Sequence, residues 1–225
     1  MGSEILSKTN RLYWLGRYVE RTMIEIDVMM DAYDRAIDIE EFDFRTFCEK
    51  LEIDCPYENS DEFILGFLFD KDFSFSVIST LNYAYDNAIV LREVISSGAL
   101  SYIQMAVNIM QNAAKGVAPM LELQSVRDML YAFRGCSDDS ILDTASRYTV
   151  KCGNSIERID MYVRLEYHTD TLHEEFGRLM RRLQYTPLRR DGNRLMALLA
   201  LAPNPDPENN RKLLLDSVEG LFLDV

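Results

Sequence analysis

Leu12-Tyr13-Trp14-Leu15-Gly16-Arg17-Tyr18-Val19-Glu20-Arg21 opens the segment that decides the fold. From here the apolar residues Leu12, Leu15, Val19, Met23, Ile26, Met30, Tyr33 and Ile37 recur at steps of three and four, the period of one helix face. The phrase Gly16-Arg17-Tyr18-Val19-Glu20-Arg21 is echoed far along the chain as Gly153-Asn154-Ser155-Ile156-Glu157-Arg158. That second copy lies on a stripe of Ile141, Ala145, Tyr148, Cys152, Ile156, Ile159 and Val163, so it too reads as part of a long amphipathic helix, over about residues 140–167.

The same period recurs between and beyond the two copies. Phe42, Phe44, Phe47, Cys48 and Leu51 make a short pattern that stops before Pro56. Asp61 is placed to cap a helix running to Phe69, and a further helix is predicted over residues 74–97, with Gly98 releasing its end. Residues 100–114 form the next helix, then Pro119 starts one that Gly135 should end, with Ser137, Asp138 and Asp139 as caps for its successor. Leu172, Phe176, Leu179 and Leu183 mark another, followed by a short apolar piece over residues 194–202. Asp206-Pro207 begins a last helix reaching Phe222. No segment alternates with period two, so the predicted fold is all-α, a single multi-helix bundle of roughly eight or nine helices. The two long helices are expected to be pseudo-equivalent, with an internal duplication whose halves are about residues 5–116 and 117–225.

With 225 residues and 48% hydrophobic content, the chain can bury a substantial core. A formal net charge of −13 argues against a broad nucleic-acid-binding face. No basic, apolar leader opens the chain, and no apolar run approaches the roughly 20 residues that span a bilayer, so a cytoplasmic protein without membrane contact is expected. Cys48, Cys55, Cys136 and Cys152 form no Cys-x-x-Cys pair and read as reduced core thiols. His168 and His173 are the two histidines, and no pair of Glu-x-x-His motifs exists for a di-metal bundle, so no metal site is expected. Phosphate-binding glycine loops and serine-nucleophile elbows are likewise missing from the sequence. One basic island stands out between residues 177 and 195, where Arg178, Arg181, Arg182, Arg189, Arg190 and Arg194 face only Asp191. It is either a solvated face paired with the acidic residues 38–62 or a dock for an acidic partner or phosphate.

A Glu-Arg doublet offers an acceptor-only and a donor-only group side by side. On a helix, Glu20 shares a face with Gly16 and Arg17, while Arg21 lies about 100° round. If the two long helices cross antiparallel, Glu20 meets Arg158 and Glu157 meets Arg21, with Gly16 and Gly153 permitting a close approach. Two roles follow. The pairs lock the register of two buried helices, or they line a cleft in which Arg17, Arg21, Arg158 and Arg164 hold carboxylate or phosphate and Glu20, Glu157 and Asp160 hold an amine. Arg92 and Glu93 would complete either arrangement, and Trp14 with Tyr13 would wall it.

The first copy resembles the signature of the alpha-E family, bacterial all-helical proteins named for their Glu-Arg motif. The likeness continues at Asp86-Asn87-Ala88-Ile89-Val90-Leu91-Arg92-Glu93, similar to the family's central Asn-Ala-x-x-x-Arg-Glu helix, and over residues 153–164, similar to its second Glu-Arg helix. Three positions depart from the pattern. Asn154 stands where arginine is usual, Met23 where an acid often follows, and Asp27 at the position that Arg164 occupies in the second copy. Arg17 should therefore carry a role that the second copy cannot duplicate. The resemblance implies a partner of circularly permuted ATP-grasp proteins, which activate a carboxylate as an acyl phosphate and pass it to an amine. ATP and Mg would belong to that partner, no cofactor would bind this chain directly, and a peptide or amino-acid ligand and self-association stay open. The rival reading is a stand-alone acyl- or aminoacyl-transferring enzyme with a glutamate base, and a third is a purely structural network in an interaction scaffold. A general base needs a raised proton affinity, which neighbouring guanidiniums oppose, so the partner reading ranks first.

Overall fold

A computed structural model of the chain describes residues 2–37, 42–116, 119–223 and 225. Among these residues lie eleven α-helices: α1 (Gly2–Ile37), α2 (Phe44–Leu51), α3 (Ser60–Phe69), α4 (Val77–Val90), α5 (Arg92–Ile95), α6 (Ser97–Ala113), α7 (Pro119–Ser140), α8 (Thr144–Leu165), α9 (Leu172–Leu183), α10 (Gly192–Leu201) and α11 (Pro207–Glu219). A single antiparallel bridge between Arg190 and Phe222 is the extent of β pairing among the described residues. The fold is all-α, as the periodicity predicts. α1 and α8 are not of one length, however, with 36 residues against 22.

Helix starts follow local hydrogen bonding. Asp43, Asn59, Ser76, Ser96, Asp143, Asp191 and Asp206 each accept from a main-chain N–H in the first turn of α2, α3, α4, α6, α8, α10 and α11, satisfying donors that the helix leaves open. Several boundaries differ from the sequence reading. Asn59, not Asp61, caps α3. The predicted helix over residues 74–97 breaks at Leu91, and the chain turns at Ser96, whose φ of 78° is left-handed, so Gly98 falls in the first turn of α6. α7 runs through Gly135 to Ser140, because buried Phe133 and Ser137 on one face outweigh the modest helix penalty of one glycine, and Asp143 starts α8 instead.

The chain divides into two compact units, one of Met1–Glu20 with Ile141–Val225 and the other of Arg21–Ser140. In the second unit α6 packs along α7 and α4. Phe63 is stacked on Phe44 and Phe67 at 5.3 and 5.2 Å between ring centres, with Phe47 edge-on to it, which seats α2 against α3. In the first unit α8 packs on α9 and α11, and α10 lies on α11. Its core gathers Tyr13, Cys152, Ile156, Ile159, Val163, Phe176, Leu179, Leu198, Leu214 and Phe222.

α8 is buried on nearly every side, and the buried set includes Asn154, Glu157, Asp160 and Arg164 beside its apolar residues. An α-helix surrounded in this way must pair its charges within the protein. Gly16 and Gly153 bring α1 close enough for that. A Cβ on Gly16 would stand 2.2 Å from the carbonyl oxygen of Val150, and one on Gly153 would stand 2.2 Å from that of Tyr13. As α1 advances from Tyr13 to Gly16, the facing residues of α8 step back from Gly153 to Val150, so the two helices cross antiparallel.

Gly16→Ala and Gly153→Ala are each expected to lower stability by about 1–3 kcal/mol, the usual range for overpacking. Gly135→Ala, where a Cβ meets nothing within 4 Å, should be neutral or slightly stabilising. Chemical denaturation of the three variants checks this, and equal effects at all three positions would contradict the close crossing.

Candidate functional site

At the crossing, each helix sends the residue one turn before its own glutamate to the glutamate of the other. Arg17 donates from Nε to Oε2 of Glu157. Asn154 donates from Nδ2 to Oε2 of Glu20 at 3.0 Å. The charge that Asn154 lacks comes from Arg158, whose Nε lies 2.8 Å from Oε1 of Glu20 and whose Nη2 donates to the same oxygen. Arg158 also donates from Nη1 to Oε1 of Glu175 at 2.9 Å, and Arg178 reaches that oxygen from the outer side of α9. One turn further along α8, Arg164 places Nε 3.2 Å from both oxygens of Asp160 and donates to Glu219 at the end of α11.

The carboxylates at the centre of the network are shut away from water, while Arg178 and Glu219 at its ends are open to it. Glu157 and Asp160 are 1% exposed, Glu175 is 2% and Glu20 is 3%. Burial works against the positive charge on Arg17, but Glu157, then Tyr13 and Asp160, outweigh it and hold the guanidinium above its ordinary value. The same balance holds for Arg158, where Glu20 and Glu175 overcome burial. Burial pushes the Tyr13 phenol up to about 12, against the opposing pull of Arg17. Arg17 also lies over the Trp14 ring, 5.0 Å from its centre, and Trp14 packs at the edge of the core cluster. Burial likewise pushes the Cys152 thiol up to about 12, although Arg182 and Arg190 oppose it, which makes it an unreactive core residue.

The structure therefore brings together Arg17, Glu20, Glu157, Arg158, Asp160 and Arg164 with Trp14 in one unit. Glu20 meets Arg158 as the crossing argument requires, while Glu157 takes Arg17, a partner that the scheme of two doublets did not include. Arg21 opens the other unit, which also holds Asn87, Arg92 and Glu93. There Asn87 is buried on α4, whereas Arg92 and Glu93 are exposed and pair with each other at 3.1 Å, on a short helix of their own. Asp27, the counterpart of Arg164 in the first copy, pairs with Arg127 at 2.7 Å.

Glu175 and Glu219 escaped the sequence reading. Glu175 had a signal, since it sits three residues after Leu172 and four before Leu179 on the apolar stripe of α9, where an unpaired carboxylate would be unfavourable. Glu219 had none, because its role depends on where α11 ends. Of the basic island, Arg178 pairs with Glu174 and Glu175, Arg190 donates to the carbonyl of Leu183 at 2.6 Å, and Arg194 donates to that of Asp216. Residues 38–41, part of the acidic stretch considered as its partner, lie outside the described residues.

Among the described residues no group of three His, Cys, Asp or Glu is placed to hold a metal ion, and no helix is long and apolar enough to cross a membrane. The four cysteines are free thiols, Cys48 and Cys152 buried, Cys55 and Cys136 half-buried. A family model, Alpha-E, described as a predicted alpha-helical domain with a conserved ER motif, matches residues 5–202. No curated protein and no solved structure matches the chain. The Glu-Arg doublets at residues 20–21 and 157–158 fall within the matched span.

Arg17→Met or Glu157→Met alone is expected to cost about 3–5 kcal/mol, because each leaves a buried charge without its counterpart. The double change Arg17→Met with Glu157→Met should recover most of that loss, and a double-mutant cycle by urea denaturation reads the coupling. Additive losses would show that the two side chains do not act as a pair.

Proposed function

The chain belongs to the Alpha-E family, and from that premise we propose that it is the helical partner of an ATP-grasp-type protein that forms amide or peptide bonds. In this reading the Glu-Arg network sets the shape that the partner recognises and performs no proton transfer. ATP and Mg reside on the partner, where the acyl phosphate would be made.

The observation that carries the reading is the closure of the network. Glu20 and Glu157 are each bound by an arginine and buried, and neither lines the cavity at α3 and α7 or the one at α8 and α9. A general base has to reach a substrate proton through free space, at hydrogen-bond distance or through one water. A buried ion pair of this kind is instead suited to fixing one geometry of two helices, whatever its net contribution to stability. The link to an ATP-grasp protein is supported by the family likeness, and the stand-alone transferase reading has no comparable support in the geometry.

Co-expression with an ATP-grasp protein, followed by pull-down and an amide-ligation assay, tests the proposal. The expected result is a stable complex and a ligation rate that depends on this chain, with the Arg17→Met, Glu157→Met double variant still active because the crossing survives. Neither binding nor a rate effect would end the partner reading. Loss of ligation in Glu20→Gln with folding and binding intact would instead make the carboxylate a catalytic group.

A further inference from the structure

Four cations converge on one hollow of this acidic chain. A cavity of about 550 Å3 opens where α8 and α9 pack, and its lining includes Lys151, Arg178, Arg181 and Arg182 with no carboxylate among them. Tyr148 and Tyr185 form one wall, their ring centres 4.5 Å apart, and the Lys151 ammonium stands 5.4 Å from the centre of the Tyr148 ring. On a protein of net charge −13, such a concentration of basic side chains around one concavity favours an anion there.

The cations are held in place from behind. Arg182 donates from Nη1 to the carbonyl of Lys151 at 2.9 Å and to Oγ of Ser155 at 2.6 Å, acceptors that orient the guanidinium and carry no charge. Arg178 is tethered to Glu174 at 3.3 Å and to Glu175. Arg181 differs from both. It is exposed, and among the described residues it has no hydrogen-bond or ion-pair partner. Two anchored guanidiniums, one unengaged guanidinium and one ammonium make a preorganised array of forked and single donors, which matches tetrahedral phosphate oxygens better than one planar carboxylate.

We propose that the hollow between α8 and α9 binds a small phosphate-bearing anion, with Lys151, Arg178, Arg181 and Arg182 around the phosphate and the exposed face of Tyr185 beside its organic part. The concave form and the volume, within the roughly 300–1,000 Å3 of small-molecule pockets, favour a compact ligand over a protein surface. Glu175 joins this site to the Glu-Arg network, because Arg178 and Arg158 share its Oε1 atom. The inference stands independently of the ATP-grasp partner.

Isothermal titration of the full chain with inorganic pyrophosphate at low ionic strength tests the site, with orthophosphate and a glutamate-rich peptide as comparison probes. Pyrophosphate should bind saturably, more tightly than orthophosphate, and more weakly as salt is raised. Arg181→Gln should weaken binding about tenfold without moving the melting temperature, as the loss of one charge-assisted contact predicts. Lys151→Gln should weaken it as well. Absence of saturable binding, or affinity unchanged in both variants, would overturn the proposal. So would tighter, Arg181-dependent binding of the peptide, which would make the hollow a dock for an acidic protein.

Discussion

A carboxylate buried where two helices cross is tolerable only if a guanidinium or amide reaches it, and that requirement organises the first unit of this protein. Gly16 and Gly153 remove the side chains that would hold α1 and α8 apart, each lying against a main-chain carbonyl of the other helix. The close approach then brings Arg17 to Glu157 and Asn154 with Arg158 to Glu20. Neither feature works without the other. Larger residues at the glycines would part the helices beyond hydrogen-bond reach, and uncharged partners would leave two desolvated carboxylates.

Asn154 shows how the second Glu-Arg segment meets the same requirement with a different residue. It keeps the hydrogen bond that its position must make to Glu20 and gives up the charge, and Arg158 supplies the charge from the next turn. Because Arg158 also holds Glu175, the second copy binds α9 as well as α1. The first copy has Arg17 for the same task, with the Trp14 ring beneath it.

The helical period made α1 and α8 legible in the sequence, and the repeated glycine and glutamate spacing pointed to a charged antiparallel crossing. What was not legible depends on packing between distant segments. Glu219 enters only because α11 ends beside Arg164, and the left-handed turn at Ser96 could not be foreseen in a stretch without glycine at that position. Gly135 misled because a single glycine stops a helix only where no buried face carries it onward, and Phe133 and Ser137 form such a face. Arg92 and Glu93, read as completing the charged cluster, pair with each other on the surface of the other unit, since α5 is too short to bury them. The first unit thus holds a buried ionic crossing and an open basic hollow between α8 and α9, and Glu175 links the two.

Proton exchange at the arginine side chains, followed by nitrogen-15 NMR, tests the buried crossing most directly. Arg17 and Arg158 donate their Nε protons to Glu157 and Glu20, so both should give resolved signals that exchange slowly with water, while exposed Arg181 exchanges fast. Exchange at Arg17 and Arg158 as fast as at Arg181 would mean that the two helices do not clasp as described.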